Sequence, residues 1–154
     1  MLERNDNKPA TVEQLGQELL NFVRNTEFGA SQYQAVRDYF DLQSLYDDLR
    51  IDRINLIESK DASDKIAVES QMRVTELRIA LLNNEIRHNQ SRLEGYSNAY
   101  THISVGFDDL LTVAYIEADN KFPNDSMQRS TYVDKVYDDI FAQAHDAVFV
   151  RRSV

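Results

Sequence analysis

Residues 65–118 read KIAVESQMRVTELRIALLNNEIRHNQSRLEGYSNAYTHISVGFDDLLTVAYIEA. With Met72 as position a of a heptad, the a and d positions are Met72, Thr75, Ile79, Leu82, Ile86, Asn89, Leu93, Tyr96, Tyr100, Ile103, Phe107, Leu110 and Ala114. Only Thr75 and Asn89 in that series are polar, and the phase never breaks. A helix carries an apolar seam of this period when it buries one stripe against a partner helix. If continuous, such a helix would be a rod of roughly 80 Å at 1.5 Å rise per residue. A compact chain of 154 residues cannot hide a rod of that length, so the stretch predicts packing against other chains. Val74, Leu77 and Leu81 form a second stripe beside the seam, which predicts burial on two sides, as in a bundle or an oligomer. Gly95 and Gly106 are the weak points, each costing about 1 kcal/mol relative to Ala in a helix interior, and a kink or break is expected at one of them. Residues 101–107 also alternate like a strand, but Phe107, Leu110, Leu111, Ala114 and Tyr115 follow the helical template, and helix is the reading.

The rest of the chain agrees with helices. It has only 4 Gly and 2 Pro, so turns are scarce and a few long helices are favoured over many short strands. Thr11 and Gln14 form a capping box ahead of a face made by Val12, Leu15, Leu19, Phe22 and Val23, which places a first helix at about 12–25. Ser31 and Gln34 open a second at about 31–58, whose apolar surface is wider than one seam and is interrupted at Asp52 and Arg53. Residues 59–64 make a polar joint with Ser63 or Asp64 as cap, followed by the long helix at about 64–94, continuing or kinked to 118. A short joint there sets the two long helices antiparallel, as a coiled-coil hairpin. Residues 119–125 are the clearest loop, and Asp125 with Gln128 caps a last helix at about 126–150. The expected architecture is all-α: a polar arm at 1–10, then one helical domain over 11–154 built on a long antiparallel helical hairpin with flanking N- and C-terminal helices.

Composition narrows the function. A net charge of −9 leaves no basic footprint for nucleic acid. The absence of cysteine excludes disulfides, thiolate metal sites and Cys nucleophiles. No leader-like run opens the chain and no stretch is apolar enough to span a membrane, so the protein is expected to be cytoplasmic when made. Glu85 and His88 have the Glu-x-x-His spacing of di-iron bundles, but His102 and His145 lack a Glu three residues earlier, and a solvated pair is the better reading. The loop at 119–125 lacks the alternating acids, the Gly and the closing Glu of a calcium site. The doublets Asp47-Asp48, Asp108-Asp109 and Asp138-Asp139 read as solvated faces. No phosphate loop, nucleophile elbow or zinc motif is present. No catalytic residue, metal ligand or cofactor is therefore assigned.

The residues that bear on interaction are Met72, Ile79, Leu82, Ile86, Asn89, Leu93, Tyr96 and Tyr100 along the seam, with Phe149 in the apolar end Val148-Phe149-Val150. An Asn at a d position can fix register or oligomer state, and tyrosines combine area with a polar handle. The expected function is structural: one subunit of a homo-oligomer or larger hetero-assembly, comparable in architecture to a viral connector, a tail adaptor or a secretion-apparatus component. The alternative is an acidic coiled-coil chaperone or adaptor holding a partner protein.

Overall fold

The computed structural model describes residues 10–150. The described residues form five α-helices and no β-strand: α1 Val12–Asn25, α2 Ala30–Glu58, α3 Ala62–Arg92, α4 Tyr96–Lys121 and α5 Ser126–Phe149. Apart from Ala10, the arm expected at 1–10 lies outside the described residues, as does the basic end at 151–154. Residues 101–107, which also fit a strand, are helical.

Helix starts follow the caps. Thr11 accepts from the Gln14 amide at 3.1 Å while Gln14 Oε1 accepts from the Thr11 amide at 3.0 Å, closing the expected box. Asp125 accepts from the Gln128 amide at 3.0 Å. Two caps differ from expectation. Helix α2 begins at Ala30, one residue before Ser31, with the Gly29 amide donating to Gln32 Oε1 at 2.9 Å. Helix α3 is capped by Asp61, not Ser63 or Asp64, through a 2.8 Å bond from the Asp64 amide. Both Asp61 and Asp64 are competent caps, and the earlier one adds most of a turn to the helix.

The long stretch 65–118 is two helices. Gly95 sits at φ +83°, a left-handed conformation that costs an L-residue about 1–2 kcal/mol. The end of α3 is closed there by the Leu93 amide on Asn89 O at 2.8 Å and by Ser97 Oγ donating to Gln90 O at 3.3 Å. Gly106 breaks nothing. It lies inside α4, where a Cβ would stand 2.6 Å from Leu19 Cδ1, so its role is close packing against α1. The continuous rod of the sequence reading does not form, and the length argument for burial against other chains lapses with it.

The described residues fall into two compact units, one of residues 10–28 and 101–150, the other of Gly29–Tyr100. In the first, α1 packs on α5 and Phe22 of α1 stacks on His102 of α4 at 3.8 Å. Phe107 of α4 is fully buried and meets the rings of Tyr137 and Phe141 of α5 at 5.4 and 6.0 Å. Glu117 ties all three helices. Its carboxylate accepts from the Val12 amide at 2.8 Å, satisfying an orphan donor at the positive end of α1, and from the Tyr132 hydroxyl at 3.2 Å. In the second unit, α2 packs on α3 across a three-residue link, 59–61. Its core joins Ala35, Leu42 and Leu49 of α2 to Ile79 and Ile86 of α3, with Tyr96 and Ala99 from the start of α4.

Candidate functional site

The seam of α3 meets a matching seam on α2. Ala35, Asp38, Leu42, Leu45, Leu49, Asp52 and Leu56 recur at a and d spacing, and each is buried or half-buried. Its two polar members, Asp38 and Asp52, are fourteen residues apart. So are Thr75 and Asn89, the two polar members of the α3 seam. The four couple across the helices. Asn89 Nδ2 lies 3.4 Å from Asp38 Oδ2, and the Thr75 hydroxyl is shared between Asp52 Oδ2 at 3.3 Å and Gln71 O at 3.1 Å.

Asp38 is the better built of the two couplings. It is 3% exposed and has no Lys or Arg partner among the described residues. Neutral donors surround it instead: the Tyr96 hydroxyl at 2.6 Å, Gln34 Nε2 at 2.8 Å and the longer Asn89 contact. A buried carboxylate needs such donors, since one left unpaired costs several kcal/mol. Burial, then the hydrogen bond to and charge of Asp38, hold the Tyr96 hydroxyl well above the ordinary tyrosine value of 10.0. A raised folded-state value means that the contribution of Tyr96 is complete below pH 10 and is lost as pH climbs through the folded value. Stability should therefore fall above pH 10 by about 1.4 kcal/mol per pH unit from this group. Denaturant unfolding between pH 8 and 11.5 (roughly the span in which tyrosine ionises) should show a shallower alkaline loss for Tyr96→Phe than for the wild type. Equal slopes would remove Tyr96 as the cause.

The residues expected at an interface take these places. Ile79, Ile86 and Tyr96 are buried in the second unit's core, and Met72, Leu82, Leu93 and Tyr100 pack against it half-buried. Asn89 is half-buried on Asp38. Phe149 belongs to the other unit, where it is half-buried and stacks on His145 of its own helix at 4.4 Å. The seam is thus occupied by the chain's own α2. Asp38 and Asp52 were missed as its partners, although their spacing repeats that of Thr75 and Asn89.

The second stripe is different. Val74, Leu77 and Leu81 are 43%, 61% and 57% exposed, and Ile66 on the same side of α3 is 65% exposed. Exposed single apolar residues are ordinary, but four along one helix face make a row. The two arginines beside this row, Arg73 and Arg78, make no ion pair among the described residues. Glu69, one turn before Arg73 on the same helix, does not pair with it.

The other chemistry-bearing residues do not converge. His88 Nε2 accepts from Arg92 Nη1 at 2.8 Å on an exposed face, which is a local helix pair. No group of three His, Cys, Asp or Glu side chains among the described residues is placed to hold a metal ion. A groove of about 340 Å³ in the first unit is lined by Leu15, Leu19, His102, Val105 and Gly106 with Glu18 and Asp109 at its sides. Glu18 already has a bonding partner, and the His102 ring is stacked on Phe22. No described helix is long and apolar enough to cross a membrane.

No protein-family model, curated protein or solved structure matches this chain.

Proposed function

We propose that this chain is a structural, non-enzymatic subunit of a multi-copy protein assembly, acting through helix packing on an antiparallel, coiled-coil-like hairpin made by α2 and α3. The hairpin reading is supported by the three-residue link between the helices and by the reversed order of their couplings, Asp38 with Asn89 and Asp52 with Thr75. The observation that carries the assembly reading is the exposed row Ile66, Val74, Leu77 and Leu81. It stands on a helix whose main seam is already filled, so it is spare apolar surface that the fold does not need. Covering it would stabilise association by on the order of 1 kcal/mol per side chain, enough to matter when the contact repeats in every copy.

The test is absolute mass by light scattering across a concentration series, on wild type and on Leu77→Lys/Leu81→Lys. The wild type should form a discrete oligomer or a mass that grows with concentration. The variant should remain helical and melt normally while shifting toward monomer by at least tenfold in concentration. A wild type that is monomeric throughout would overturn the assembly and leave the row to a different protein, as an adaptor would use it.

A further inference from the structure

The assembly reading leaves open which surface covers the α3 row, and charge decides it. At about 100° per residue, Leu77 marks the middle of the row, with Ile66, Val74 and Leu81 close to either side. No Asp or Glu of α3 falls within about 60° of Leu77 around the helix. Arg73 and Arg92 are the charges inside that arc, and on its flanks Arg87 and Arg78 alternate with Glu69, Glu85 and Glu76. The whole helix has five Lys and Arg against four Asp and Glu, in a chain of net charge −9. Within that arc the face is apolar and its charges are arginines alone.

One other helix presents the complement. On α4, Val105, Tyr115 and Ile116 are 48%, 57% and 55% exposed, and Asp108 and Asp109 are exposed among them. All five fall on one arc of about 120° by the same helical spacing. The only Lys or Arg of α4 is Lys121, whose Nζ sits 4.6 Å over the Tyr132 ring. The face is apolar and acidic, with carboxylates that make no ion pair among the described residues.

We propose that the α3 row of one copy packs against this α4 face of a second copy. The proposal rests on the assembly reading above and adds the occupant. Packing α3 on α3 would bring arginines together, and α4 on α4 would bring aspartates together; α3 on α4 pairs opposite charges around two apolar stripes. Because the two faces differ, the contact is heterologous. Each copy uses one face and offers the other, so copies join head to tail into a ring if the rotation closes and into a filament if it does not.

Charge exchange tests this. Arg73→Glu/Arg78→Glu makes both faces acidic, and Asp108→Lys/Asp109→Lys makes both basic, so each variant alone should lose association by at least tenfold in concentration. Mixed one to one, each acidic face meets a basic one in both directions, and the wild-type mass should return. All four positions are exposed, and melting curves check that each variant folds. As a readout free of substitution, wild-type association should weaken at about 1 M salt, where the screening length falls to about 3 Å. A wild type that assembles while both variants assemble equally well, or a folded mixture that stays dissociated, overturns the α4 face and leaves the assembly standing. Association that is indifferent to salt also counts against the α4 face. A wild type that never assembles overturns both.

Discussion

Replacing Ile86 with Asp should unfold the α2–α3 core. Ile86 is 4% exposed and belongs to the cluster with Leu42, Leu49 and Ile79. Truncating a buried aliphatic side chain costs about 2–5 kcal/mol, and a carboxylate placed there without a partner costs several more. The sum approaches the whole stability of a typical domain, about 5–15 kcal/mol. Far-UV circular dichroism should therefore show either lost helix at about room temperature or a melting temperature lowered by more than roughly 10 °C. The contrast is Leu81→Asp, five residues before Ile86 and on the exposed row, which should move monomer stability by no more than about 0.5–1 kcal/mol. If the two substitutions behave alike, the assignment of inner and outer faces on α3 is wrong.

Removing the carboxylate of Asp38 should cost about 2–4 kcal/mol, read as a lowered denaturant midpoint for Asp38→Ala. The loss has a specific origin. The Tyr96 hydroxyl, fully buried, would lose the carboxylate to which it donates, and an orphaned buried donor carries about 1–3 kcal/mol of unrecovered desolvation. Asn89 and the exposed Gln34 would lose weaker bonds that water can replace. Deleting the whole cluster should hurt less than deleting its centre. In Asp38→Leu/Asn89→Leu/Tyr96→Phe only the exposed Gln34 remains of the cluster's polar groups, and water can satisfy it; exchanging a buried polar network for apolar side chains is often neutral or stabilising. The triple variant should thus recover more than about 1 kcal/mol relative to Asp38→Ala, a departure from additivity that neighbours in one network produce. An additive result would mean that Asp38 acts alone.

The all-α fold was legible because its signals are periodic and local. The seam from Met72 onward, the box at Thr11 and Gln14 and the cap at Asp125 all rest on spacings of a few residues. Val74, Leu77 and Leu81 were legible as a second stripe for the same reason. Two things were hidden. Gly95 and Gly106 look equivalent in sequence, and only tertiary structure separates them: one takes a positive φ, the other makes room for Leu19. Charged residues at seam positions read as interruptions of a stripe, so Asp52 passed for a break and Asp38 carried no signal. Each becomes a partner only when the facing helix supplies Thr75 or Asn89. The inference from an 80 Å rod (roughly, at 1.5 Å per residue) failed on the glycine. What replaced it is a row left uncovered once α2 has filled the seam.

The equal spacing of the two couplings also limits how this protein can change length over evolutionary time. Lengthening α2 by one heptad between Asp38 and Asp52 would leave one carboxylate facing an aliphatic side chain. Adding a heptad between Thr75 and Asn89 alone would strand an amide or a hydroxyl in the same way. Only insertions or deletions made in step on both helices keep both couplings. The α2–α3 pair is therefore a ruler graduated in whole heptads, and relatives in which it is longer or shorter should differ by matched multiples of seven residues, as the heptad repeat requires.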